Sequence, residues 1–292
     1  MIIARPAAGC SLAPFAAALA GLRQRRGPDA TAGLAPELLV PAGSPGWTPA
    51  SELLAGGLLD QLLAAAAQRW NATPAAAAAL AWRSYTYWLV LPVVLGWGGF
   101  RRVPLLAPED VLVRIGEPGS PRLVTIGLRR LRLAVLTDDP LTGGPAPATG
   151  GPVQLTGGPA PATGQPAGRP ALTVLGSGPR LLAELRATLR DHHLDPLLAR
   201  LRGRVNLGAR TLLGSLASAV AYGVVRGLDA PSAELTATAG TLLSALDVAD
   251  LVTLEPGPDG PVVQRRTCCL AFTLPRPKIC SGCCLRGRQV AV

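Results

Sequence analysis

The chain has 292 residues, of which 49% are apolar and 4% aromatic, and it carries a formal charge of +10. That length and apolar share suffice for a sizeable core, in one large domain or two smaller ones, and the abundance of Ala and Leu favours helices packed on helices. The charge does not point to nucleic acid, which is not expected as a partner: Lys278 is the only lysine, the Arg residues are scattered as in a GC-rich genome, and no basic stripe is interleaved with aromatics.

The first residues, MIIARPAAGCSLAPFAAALAGL, are faintly leader-like. Arg5 is the only early charge, Pro14 interrupts the apolar part and RQRR follows, so an amphipathic first helix is expected in place of a cleaved leader. Cys10 stands alone and reads as a plain thiol. Thr48-Pro49, Thr73-Pro74 and Asp195-Pro196 each suit an N-cap followed by proline at the first helical position. Helices are predicted over 50–69 and 74–96. Residues 84–100, SYTYWLVLPVVLGWGGF, are uncharged between Arg83 and Arg101, but short for a bilayer span and interrupted by Pro92. They predict a buried core helix, with peripheral attachment to the inner face of a membrane left open.

The segment 111–128 alternates apolar and polar residues around EPGSP and predicts a β-hairpin. LTGGPAPATG at 141–150 recurs at 155–164, and this uncharged, small-residue stretch predicts a flexible surface loop. Helical patterns return at 181–194, 195–204, 206–228 and 231–251, before an EPGPDGP turn. Four regions follow: 1–140, helical with the hairpin; 141–170, the duplicated loop; 171–256, helical; and 257–292, which holds five of the six cysteines.

That last region reads RRTCCLAFTLPRPKICSGCCLRGRQV. Cys268, Cys269, Cys280 and Cys283 form a C-C-x10-C-x2-C pattern, with Cys284 as an extra. Crowded cysteines of this kind fit a metal site in a reducing compartment better than a disulfide framework, which spaces its cysteines through the fold. Four thiolates suit either a [2Fe-2S] cluster or tetrahedral zinc. Zinc modules use two C-x2–4-C knuckles, whereas here an adjacent pair replaces one knuckle. Neighbouring side chains of an extended strand point to opposite faces, so Cys268 and Cys269 must sit in a bend to share a site. Chemistry alone favours the cluster and leaves zinc open.

The spacing, preceded by Arg265-Arg266, resembles the FhuF-like family of ferric siderophore reductases. A second stretch, HLDPLLARLRGRVNLGARTLLGSLASAV (193–220), is similar to that family in His193, Leu194, Pro196, Leu197, Arg210 and Gly214, with Leu213 where the family tends to have Trp. The resemblance implies a [2Fe-2S] cluster on Cys268, Cys269, Cys280 and Cys283. It also implies a cytoplasmic oxidoreductase that reduces Fe(III)-siderophore by one electron to release Fe(II). Cys284 departs from the family, where proline commonly follows the last ligand, and reads as a redox-sensitive bystander or a substitute for Cys283. No G-x-G-x-x-G follows a strand, so electrons are expected from a separate donor, a ferredoxin or flavoprotein.

Arg265, Arg266, Arg276, Lys278, Arg286 and Arg288 surround the cysteines. They read as cations that offset an anionic cluster or solvate the surface, and also as a dock for an anionic ferric complex or an acidic donor. His192 and His193 could position iron, although a packing role is the stronger reading. Trp70, Trp82, Trp88 and Trp97 read as core, with a siderophore groove as the minority option. The predicted fold is mainly α: a helical bundle-like core with a small β-hairpin and a C-terminal iron–sulfur-binding segment. A non-catalytic [2Fe-2S] electron carrier or iron sensor and a zinc-stabilised binding protein are the alternatives.

Overall fold

The computed structural model describes residues 13–142 and 171–286. Cys10, Arg288 and all but the first two residues of the 141–170 loop lie outside them. Helix α1 (Ala13–Arg26) leads into strand β1 (Leu34–Leu39), then β2 (Thr48–Pro49), α2 (Ser51–Ala55), α3 (Gly57–Trp70) and α4 (Pro74–Phe100). Strands β3 (Val103–Pro104), β4 (Val111–Ile115), β5 (Val124–Leu128), β6 (Arg132–Leu136) and β7 (Ala171–Leu175) follow. The chain then runs through α5 (Gly178–Leu185), a π-helical stretch (Arg186–Leu194), α6 (Asp195–Arg204), α7 (Ala209–Gly227), α8 (Ser232–Ala245) and the hairpin β8 (Val252–Glu255) and β9 (Val262–Arg265). The fold is mainly α with small sheets.

Helix α4 is the centre of the molecule. Thr73 caps it, its hydroxyl accepting from the Ala76 N–H at 3.4 Å, and Pro74 occupies the first turn, where its missing N–H costs nothing. Nearly every side chain from Ala76 to Trp97 is buried, as expected of a helix that is apolar all round. It lies against α7, whose small residues permit close approach: a Cβ on Gly223 would stand 3.2 Å from Val94. The Trp82 indole N–H donates to the Leu212 carbonyl at 2.8 Å. One continuous core gathers residues from Phe15 to Val263. No helix among the described residues is long and apolar enough to cross a membrane.

Two proline-based helix starts are corrected. Thr48-Pro49 lies in β2, paired with β4, and the helix begins at Ser51 and breaks at Gly56 (φ 119°) before α3. Asp195-Pro196 does open α6 at the expected 195–204 piece, but Asp195 is no N-cap: Leu194 before it is already helical, and the chain is helical from Gly178 to Arg204. Pro196 lacks an N–H and would clash with a carbonyl one turn back; the wider π turns that precede it, with the Asp195 N–H reaching Arg190 O, accommodate the ring without a break. The expected hairpin forms, with Val113 opposite Ile126. It is part of a larger sheet ordered β1-β5-β4-β2, in which β1 joins β5 in parallel. A second sheet, β3-β6-β7, and the β8-β9 hairpin complete the strands.

His193 is buried, and both ring nitrogens are engaged. Nδ1 lies 2.6 Å from the Leu106 carbonyl and must donate to it, so Nε2 accepts from the Tyr85 hydroxyl, also at 2.6 Å. Burial, partly offset by the Leu106 hydrogen bond, lowers the His193 pKa from 6.5 to about 4. The unfolded chain therefore takes up a proton between these values that the folded chain refuses, and stability falls as pH drops through that window. Between pH 7 and pH 5 this group should cost about 2 kcal/mol, at ~1.4 kcal/mol per unit. Urea midpoints of wild type and His193→Gln at both pH values check it. An equal fall in the two proteins would show that another group is responsible.

Candidate functional site

Strand β9 delivers the chain to the cysteines. At its end the Arg265 N–H donates to the Gly282 carbonyl at 2.9 Å, which fastens the second cysteine loop to the strand. Gly282 is the residue that allows this: a Cβ there would stand 1.9 Å from Val263 O and 2.7 Å from the Tyr222 hydroxyl. The Cys283 N–H donates to Cys280 O at 3.1 Å and closes the C-x2-C turn, while the Gln264 amide holds Cys283 O at 3.2 Å. On the other arm the backbone bends after β9. Leu270 adopts a left-handed conformation (φ 61°), and its N–H donates to Cys268 Sγ at 3.3 Å. The Lys278 N–H donates to Ala271 O at 3.0 Å and brings the two arms together.

Cys269 and Cys283 are buried; Cys268, Cys280 and Cys284 are half-buried. The Cys280 thiol donates to Cys269. That hydrogen bond, aided by the nearby charges of Arg265 and Arg83, outweighs burial and pulls Cys269 down; Cys280, the donor, is pushed up. The Arg83 guanidinium approaches Cys269 Sγ at 3.7 Å. Cys284 is raised by burial and by the charges of Cys268 and Cys283, and its thiol donates to Cys268. The thiols thus influence one another in two pairs, Cys269 with Cys280 and Cys268 with Cys284. No group of three or more Cys, His, Asp or Glu among the described residues is arranged, as it stands, to hold a metal ion.

Arg265 supplies the test of fit. It is only 2% exposed, its Nη2 donates weakly to Ser215 Oγ at 3.4 Å, and its Nε and Nη1 are buried without a partner. A buried guanidinium with two unanswered donors is costly unless an anion compensates it. The groups that feel its charge are the thiols of Cys269, Cys280 and Cys284. A set of soft sulfur donors around an unpartnered buried cation fits an anionic, thiolate-bound metal group.

Beside the thiols a cleft of about 1140 Å³ is lined by Cys280 and Ser281. Arg26, Arg83, Arg122, Arg226 and Lys278 line it, against the single carboxylate of Asp29. Trp70, Tyr87, Trp88 and Tyr222 supply its aromatic surface. Arg226 lies 4.8 Å over the Tyr222 ring, and Arg122 5.8 Å over Trp88.

The surrounding cations separate by position. Arg265 is buried, whereas Arg266, Arg276, Lys278 and Arg286 are exposed. Trp82 and Trp97 belong to the core, while Trp70 and Trp88 reach the cleft. His192 is exposed and His193 is tied to Tyr85 and Leu106. Gly214 lets Thr267 approach α7, since a Cβ would stand 1.8 Å from its hydroxyl, and Arg210 pairs with Asp250 at 2.8 Å. Sequence reasoning missed Arg83, Arg226 and Tyr222 as site residues. Arg83 had one signal, a lone charge at the head of an uncharged run. The chain matches no protein-family model and no curated protein.

Two substitutions probe this construction. Gly282→Ala forces the cysteine loop off β9 and should cost about 1–3 kcal/mol, read by thermal denaturation. Arg265→Met should behave oppositely in two states. In chelator-stripped protein it melts no lower than wild type, because a buried unpaired charge is gone; in protein as purified, any metal held per chain falls below wild type. A stripped variant that melts well below wild type would mean the guanidinium is already satisfied.

Proposed function

We propose that this chain is a [2Fe-2S] oxidoreductase that reduces ferric siderophores by one electron and releases Fe(II) in the cytoplasm. The observation that carries the reading is the buried Arg265 guanidinium, two of its donors unanswered, near thiols of which one, Cys280, also lines a cationic, aromatic cleft. Cys268, Cys269, Cys280 and Cys283 would hold the cluster. When bound, such a centre supplies electrons one at a time, which matches the reduction of Fe(III) to Fe(II).

The protein's own groups do the rest. Arg265 and Arg83 offset the negative charge of the thiolates from inside and from the cleft side. The Gly282 contact and the C-x2-C turn hold Cys280 at the cleft wall. Siderophores bind Fe(III) through hard oxygen donors and Fe(II) far more weakly, so the reaction needs proximity and a docking surface and no general base. The cleft cations and rings supply that surface. The electron donor would be a separate ferredoxin or flavoprotein, and contact with the inner face of the cytoplasmic membrane would be peripheral.

Anaerobically purified protein should give a rhombic EPR signal only after dithionite, with two irons per chain and no zinc. Reduced protein should then be reoxidised by ferric chelates. Serine at position 268, 269, 280 or 283 should abolish the signal, while Cys284→Ser keeps it. One zinc per chain and no signal would end the reductase reading. A signal without reoxidation by any ferric chelate would leave an electron carrier or iron sensor.

A further inference from the structure

The cleft's charge is far more one-sided than a neutral ligand requires. Five cations face one carboxylate, and the only ion pair among them is Arg122 with Asp29, at 2.5 Å. Arg26, Arg226 and Lys278 are exposed and form no ion pair among the described residues. Four of the five are Arg, whose planar fork matches a carboxylate with two parallel hydrogen bonds. Arg226 lies against the Tyr222 ring at the cleft wall, where the ring steadies its charge.

We propose that the cleft selects anionic ferric chelates that present carboxylates, of the citrate or hydroxycarboxylate type, over neutral or cationic trihydroxamates. The inference rests on the reductase reading for its consequence, though not for its binding step. Two properties of the cleft make the choice. The separated cations, Arg26 and Arg226 from α1 and α7 and Lys278 from the cysteine segment, can engage several carboxylate arms of one ligand. The volume, about 1140 Å³, admits a chelate complex with its donor arms in place of a single small anion. Three catecholates would also be anionic, but they hold Fe(III) far more tightly than carboxylates do and so resist its one-electron reduction.

Gallium(III) complexes separate binding from reduction, because gallium(III) has the charge and coordination of Fe(III) and accepts no electron here. Isothermal titration of the cluster-loaded protein would compare gallium(III) citrate, gallium(III) desferrioxamine B, which is cationic, and citrate alone. The expected result is at least about tenfold tighter binding of gallium(III) citrate than of the hydroxamate, weakened by salt. Arg226→Gln and Lys278→Gln should each weaken the citrate complex severalfold, to about tenfold, and leave the weak hydroxamate affinity unchanged. Equal affinity for the two gallium complexes, binding of neither, or wild-type affinity in both variants would overturn the inference. Tighter binding of citrate alone than of its gallium complex would also overturn it. If reduced protein is reoxidised by ferric chelates while the two gallium complexes bind equally, the reductase reading stands and this inference falls. If gallium(III) citrate binds selectively to protein with no EPR signal, the cleft assignment stands and the reductase reading falls.

Discussion

The close packing of α4 on α7 is the constraint on which the site depends. Trp82 donates across the contact to the Leu212 carbonyl, and the missing side chain of Gly223 lets Val94 come near. With the two helices fixed, residues next to those contacts face the same part of the chain. Arg83 follows Trp82 and reaches Cys269, while Gly214 and Ser215 follow Leu212 by two and three residues and receive Thr267 and Arg265. The cysteine segment is therefore seated on the packing of two helices drawn from widely separated parts of the sequence. Its own contribution is a set of backbone contacts around Gly282 and the C-x2-C turn.

Much of the helical architecture could be read directly. Thr73-Pro74 announces α4 because both halves of the signal, the hydroxyl acceptor and the proline with no N–H to lose, are satisfied within four residues. Thr48-Pro49 carries the same chemistry and lies in a strand, since its partner β4 lies elsewhere in the sequence and no local rule detects it. The same holds for β1: LAPELL includes Pro36 and shows no clean alternation, and its pairing with β5 is a tertiary event. The hairpin of β4 and β5 was visible because its strands are neighbours joined by a turn.

The thiols were legible from spacing alone, but the electrostatics around them were not. Arg265 and Arg266 look like twins in the sequence. The end of β9 sends the first inward against Ser215 and the second out to solvent, and only the first can answer a buried anion. Arg83 and Arg226 belong to helices that read as core. Their place beside the cysteines and in the cleft comes from how α4 and α7 are oriented, which composition does not encode.

Cys269 does not join the main core. It packs with Ala76, Leu80, Ala271 and Leu274 in a small satellite cluster on the outer turns of α4. A segment held by a satellite cluster and a handful of backbone hydrogen bonds has a lower local opening free energy than the helices beneath it. The scaffold can thus stay folded while the thiol loops open, which exposes the sulfurs without global unfolding. Reactivity at the thiols and global stability become separable properties: the helices set the frame, and the loops they carry open and close on their own.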